Sequence, residues 1–278
     1  MSTDTVEDAA PERPATGRPG VRFTDLLRSE WVKLRSLRST WVTLLAMVVC
    51  SVAVTLLAGS GEQADYSALS AEDRREWDPV ALSLNSFFLG QLIISVLGVL
   101  VATSEYATGT IRTSLAAVPR RGRLLAAKAL VFAAVALVAG QVTTFLCFTA
   151  GQAVIGRHEG APTASLGDPG VPGAVAGLGL YLAVIGLLAV AVGTLARATA
   201  GGLAVVVAIT LLVPAFGGVF PSWAQEAFAY WPSLGGAEVR NLQPTAEYPD
   251  GWWNLAGMSA GVAVLLAAAF AVFRRREV

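Results

Sequence analysis

The chain has 278 residues, of which 54% are hydrophobic and only 14% charged, with a mean hydropathy of +0.59; a soluble domain carries roughly a quarter charged residues, so an ordinary water-soluble globule is excluded. Twenty Lys and Arg balance twenty Asp and Glu, and no basic surplus points to nucleic acid. Two cysteines, Cys50 and Cys147, both inside apolar runs, exclude a disulfide scaffold, and one histidine, His158, leaves little material for a metal centre or a histidine-based catalytic site.

Residues 1–20 combine Pro11, Pro14 and Pro19 with Asp4, Glu7, Asp8 and Glu12, a composition expected to form a disordered tail because it offers almost nothing to bury. In residues 21–40, Phe23, Leu26, Leu27, Trp31, Leu34 and Leu37 recur at helical spacing, with Arg28, Lys33, Arg35 and Arg38 between them. This pattern predicts an amphipathic interfacial helix whose apolar face, Phe23, Leu27, Trp31 and Leu34, meets the lipid bilayer. Residues 41–275 then carry six apolar runs, at about 41–58, 82–103, 124–150, 175–196, 203–220 and 253–273. About 20 such residues cross a hydrocarbon core of about 30 Å, and lipid cannot satisfy a backbone that is not helical. The expected fold class is an all-α integral membrane protein with six transmembrane helices.

Charge sets the expected orientation. Sixteen of the twenty cations fall on one side of this layout, and only Arg74, Arg75, Arg157 and Arg240 on the other. Cytoplasmic segments hold the excess, so both termini are expected in the cytoplasm of a multi-pass cell-membrane protein. The acids divide the opposite way, eight inside and twelve outside, so the zero net charge conceals a polarised molecule.

The connection Ser104–Arg123 is basic and punctuated. Thr108 or Thr110 can cap a short helix, Ile111 and Leu115 give it an apolar stripe, and Pro119 ends it. It reads either as a handle for a cytoplasmic partner or as a positive loop that only fixes topology. The last external connection, 221–252, clusters Trp223, Phe228, Tyr230 and Trp231, which suits short interfacial or re-entrant helices or a surface loop anchored by its aromatics. Within the spans, Gln91 and Gln141 either bond between helices or face a translocation path, Pro214 with Gly217 and Gly218 loosens the fifth run, and Gly257 with Gly261 gives the sixth a small-residue face.

No ionisable residue lies mid-span, so the machinery of an ion-coupled carrier is missing. No phosphate-cradling G-x-x-x-x-G-K-[ST] loop is present either, so the chain is not expected to be an enzyme or to bind a cofactor. The stretch Glu105-Tyr-Ala-Thr-Gly109-Thr110-Ile111-Arg112, followed by Pro119-Arg120-Arg121 and Lys128, resembles the E-x-x-x-G-T-[IL]-R…P-x-R…K signature of ABC-2-type exporter permeases. Ser29-Glu30-Trp31-Val32-Lys33-Leu34-Arg35-Ser36 resembles an N-terminal segment common in actinobacterial members. The likeness covers residues 22–275 in layout and is sharp in these two stretches.

The resemblance implies the permease subunit of an ATP-binding-cassette exporter. Its partners would be a separate ATP-binding subunit, which holds the ATP and Mg, and a second permease copy or paralogue. It also implies an N-terminal elbow helix and a coupling helix over Gly109–Ala117. Glu105, Gly109, Thr110, Ile111, Arg112, Leu115, Pro119 and Arg121 would face the ATPase; beyond the resemblance, Glu105 is expected to pair with a nearby cation such as Arg112 or Arg121. The alternative is a non-transporting scaffold or sensor that recruits a cytoplasmic partner through the basic loop. The spans suit a hydrophobic or amphipathic cargo, although lipid-facing surfaces have the same composition.

Overall fold

A computed structural model describes residues 22–60, 66–67, 69–110, 121–221, 226–243 and 250–275, with Arg121 described through its backbone alone. Helix α1 spans Phe23–Ser36 and starts where the Asp25 carboxylate accepts the Arg22 amide at 3.1 Å. Asp25 in its first turn and Lys33 and Arg35 in its last suit the helix dipole. An extended Leu37 turns the chain into α2, Arg38–Gly59. The Trp41 indole donates to the Arg35 carbonyl at 2.9 Å, satisfying an acceptor that the end of α1 leaves open.

Helix α2 turns a stripe of Met47, Ser51, Thr55 and Gly59 inward and exposes Val42, Leu45, Val49 and Leu57. Small and polar side chains inside with large apolar ones outside is the polarity expected of a helix solvated by lipid. The expected run 82–103 is divided. Asp78 caps the short α3, Pro79–Ser83, by accepting the Val80 and Ala81 amides. The long helix α4 covers Phe87–Ala107, four residues beyond the expected end. The break falls where side chains are committed elsewhere: Asn85 accepts from Arg240, and Ser86 accepts from Thr55 and donates to Cys147.

Helix α5, Arg121–Ile155, has 35 residues and so reaches about 52 Å at 1.5 Å per residue, well beyond a hydrocarbon core. Helix α6, Val171–Ala196, is the axis of the bundle, with 83% of its most apolar window buried against 22% in α2. Glycines permit that position. A Cβ on Gly98 of α4 would lie 2.6 Å from the Gly186 carbonyl oxygen, and one on Gly140 of α5 would lie 2.5 Å from that of Gly179, so α4 and α5 approach α6 backbone to backbone.

After a left-handed turn at Arg197, helix α7 begins at Thr199. Here the sixfold expectation meets a difference. Five helices, α2, α4, α5, α6 and the final α8 (Gly251–Arg275), are long and apolar enough to cross a membrane, whereas Thr199–Ala215, in the expected run 203–220, is shorter. It is composite: nine α-helical residues, five π-helical (Ala208–Leu212) and three α-helical (Val213–Ala215). Pro214 explains the break. With no N–H it cannot bond back to Thr210, and the Val213 amide bonds instead to the Ala208 carbonyl, five residues back.

Among the described residues the segment after α7 contains three 3-10 helices, Gly217–Val219, Glu226–Tyr230 and Gly235–Arg240, and the last two bury Phe228, Ala237 and Val239. On α8, Gly257 packs against the Tyr230 ring, whereas Gly261 faces open space. The expected small-residue contact therefore exists at one of the two glycines.

Candidate functional site

Two polar clusters lie near opposite ends of α4. The first joins α1, α4 and α5 through four charges in a ring. Lys33 Nζ meets Glu30 Oε1 at 2.6 Å and Glu105 Oε1 at 2.9 Å, and Lys128 Nζ meets Glu105 Oε1 at 2.9 Å and Glu30 Oε2 at 2.8 Å. Carboxylate and ammonium alternate, so the ring is neutral. Glu30, Glu105 and Lys128 are buried, and Lys33 opens toward solvent.

Each position follows from its helix. Glu30 lies one turn from both Leu26 and Leu34 and shares their buried face. Leu26 packs on Ala127, which brings Lys128 beneath Glu30. Glu105 sits in the last turn of α4, where the dipole disfavours an anion, and two ammonium groups offset that. A desolvated charge is tolerated only when paired. Burial by itself would lower the Lys33 pKa; hydrogen bonds and charge attraction from Glu30 and Glu105 outweigh it and raise Lys33 above the ordinary lysine value. Among the described residues Glu105 Oε2 and the Tyr106 hydroxyl have no hydrogen-bond partner, and both residues line a cavity of about 10 Å³ with Lys128 and Thr194. That volume is at the lower limit for one water molecule. The Arg197 guanidinium lies 5.6 Å from the Tyr106 ring centre, tying the α6–α7 corner to the same end.

The ring brackets the connection from α4 to α5. Of the residues expected to meet a partner there, Glu105 is in the ring, and Gly109 and Thr110 follow the end of α4 as a turn, Gly109 with φ +70°. The Thr108 and Thr110 hydroxyls bond to each other at 2.8 Å. Ile111, Arg112, Leu115 and Pro119 lie outside the described residues, as does the Arg121 side chain. Among the described residues the cations on Glu105 are Lys33 and Lys128; the expected pairing with Arg112 or Arg121 concerns side chains outside the described residues. A glutamate within the leucine stripe of α1 was the sequence signal for Glu30; Lys33, which alternates with Arg28, Arg35 and Arg38 between the apolar residues of the helix, turns inward to it. In α1, Leu34 is buried, Phe23 and Leu27 pack around Leu26, and Trp31 is exposed.

The second cluster is neutral. The Tyr181 hydroxyl of α6 donates to Gln91 Oε1 of α4 at 2.6 Å and accepts the Ser233 amide at 3.0 Å. Ser233 Oγ lies 2.7 Å from the Thr210 carbonyl oxygen and 3.0 Å from Gln91 Oε1. The Trp231 indole donates to the Ile209 carbonyl at 2.8 Å. Ile209 and Thr210 are the carbonyls that the π segment and Pro214 deprive of helical donors, so the 226–240 segment is held by acceptors that the proline releases. Gln141 instead donates to the Ala176 carbonyl at 2.8 Å, between α5 and α6. Both amides expected in a path or at a helix contact thus make helix contacts here. Among the described residues no group of His, Cys, Asp or Glu is arranged to hold a metal ion.

The family model described as ABC-2 family transporter protein matches residues 26–215, from α1 to the end of α7. Among curated proteins none matches the sequence significantly.

Proposed function

The chain belongs to the ABC-2 transporter family, and from that premise we propose that it is the membrane-spanning permease subunit of an ATP-driven exporter. Two permease copies, or this chain and a paralogue, form the path, and a separate ATP-binding subunit docks at the end of the bundle that carries α1 and the α4–α5 connection. On this reading α7 completes six crossings with the residues after it, α1 is the elbow helix at the cytoplasmic surface, and both termini are cytoplasmic.

The observation that supports this most is the ring Glu30–Lys33–Glu105–Lys128. It fastens the surface helix to both flanks of the connection that would receive the ATPase, so a push on residues 108–121 reaches α1, α4 and α5 together. Ile111, Arg112, Leu115 and Pro119 supply the docking face, and ATP and Mg stay on the partner. The test pairs the ATP-binding subunit with this chain and measures co-purification and transport. Glu105→Gln is expected to lower transport while membrane insertion persists, and disrupting Ile111 or Arg112 to release the ATPase. Unchanged transport in Glu105→Gln would remove the coupling role from the ring. Recruitment of a cytoplasmic partner without ATPase activity would replace the permease reading with that of a scaffold.

A further inference from the structure

An apolar slot of about 530 Å³ opens on the outer side of the bundle where α1, α2 and α5 converge. It runs along α2 from Thr40 to Val48 and along α5 from Ala134 to Val142, about 12 Å in each case, parallel to the helices as an acyl chain would lie. Leu44, Val135 and Val138 are among its walls; Trp31, Trp41 and Arg35 come from the α1–α2 corner. Arg35 is the one charged residue lining it. Arg35 is exposed, and among the described residues neither it nor its neighbours Arg28 and Arg38 lies within salt-bridge distance of a carboxylate. The acids near them are already taken: Glu30 by the two lysines and Asp25 by the start of α1.

We infer that this slot is a binding site for an anionic phospholipid, with one acyl chain between α2 and α5 and the headgroup phosphate on the Arg35 guanidinium. Indoles favour the headgroup layer, which places Trp31 and Trp41 at the depth where such a phosphate lies. Guanidinium is suited to phosphate because it offers a planar fork of donors, and basic pockets between membrane helices select anionic lipids. A helix from a second copy does not fit inside the slot, since a cylinder of about 10 Å diameter needs roughly 900 Å³ over the same length. The site rests on the placement of α1 at a membrane surface and is independent of transport; loss of the ATPase partnership would leave it standing.

The full-length chain, reconstituted in nanodiscs of equimolar phosphatidylglycerol and phosphatidylcholine and released into native mass spectrometry, tests it. The wild type is expected to retain phosphatidylglycerol over phosphatidylcholine by about fivefold, the preference one cation near an anionic surface supplies. Arg35→Ala is expected to bring the two lipids to parity. Ala134→Phe, at an exposed position on the slot wall, is expected to remove the retained lipid, and Leu45→Trp fills the slot from the opposite wall should the first variant fold poorly. Equal retention of both lipids by the wild type, or lipid kept by both slot-filling variants, would overturn the proposal. So would a photo-crosslinker at Val138 that captures a second copy or the N-terminal tail in place of lipid.

Discussion

Helix α4 is held near its two ends by different chemistry. At Glu105 it meets two ammonium groups and, through them, a second carboxylate; at Gln91, about 21 Å earlier along the helix, it meets two hydroxyls without charge. Charge attraction falls slowly with distance, and lysine arms are long, so the ionic ring can follow a helix that moves by an ångström or two. A hydrogen bond weakens steeply beyond about 3.2 Å, so the neutral cluster is either made or broken. The ring therefore tolerates small movements at its end of the bundle, whereas the Gln91 cluster holds its end to a fixed geometry.

The comparison breaks most visibly at Lys128. Lys128→Met leaves two buried carboxylates facing one half-exposed ammonium, and removing one partner from a buried ion pair costs about 3–5 kcal/mol. Equilibrium unfolding in detergent micelles is expected to register a loss of that size. Adding Glu30→Gln restores neutrality as a Glu105–Lys33 pair and is expected to recover most of the loss. A double variant no better than Lys128→Met would mean that the four charges do not act as a unit.

At the other end the effects are expected to be smaller because no charge is stranded. Tyr181→Phe takes the donor from Gln91 and the acceptor from the Ser233 amide, at about 1–3 kcal/mol for a buried group left unsatisfied, measured in the same unfolding assay. Ser233 sharpens the point further. It is a non-glycine residue at φ +65°, a conformation costing about 1–2 kcal/mol for a side chain. Ser233→Ala keeps that cost and strands the Thr210 carbonyl, whereas Ser233→Gly strands the carbonyl but removes the cost. The glycine variant is expected to be the more stable of the two.

How much of this was legible in the residues differs between the ends. The long apolar runs announced α2, α4, α5, α6 and α8, because a stretch of about 20 such residues has few other folds available. Pro214 announced a disturbance in the fifth run but not its form, since a missing N–H says which carbonyl is freed and not which side chain comes to claim it. Trp231 and Ser233 are about twenty residues away in sequence and carry no periodic signal. At the charged end, Glu105 and Lys128 stand out as an acid and a cation at span ends, and Arg112 and Arg121 are examples of cations in the same connection that Glu105 could take. The partner on α1 was hidden because Lys33 repeats the spacing of arginines that do face outward. Only Glu30, an acid among buried leucines, marked the inward face.

Lys33 gives the smallest effect and the finest discrimination. Its pKa is raised by Glu30 and Glu105 over the opposing effect of burial, so it binds its proton more tightly in the folded chain than in the unfolded one. A raised lysine contributes fully below the ordinary lysine pKa, and that contribution is lost as pH rises through the folded value. The stability difference between wild type and Lys33→Met should therefore be flat across neutral and mildly alkaline pH and shrink only in strong alkali. With 41% of the side chain exposed, solvent screening keeps the difference within about 1 kcal/mol. High salt should reduce it further, while the Lys128→Met loss, sheltered from ions, should hardly change. A Lys33→Met difference that varies across neutral pH would indicate that a carboxylate of the ring, not the ammonium, is what titrates there.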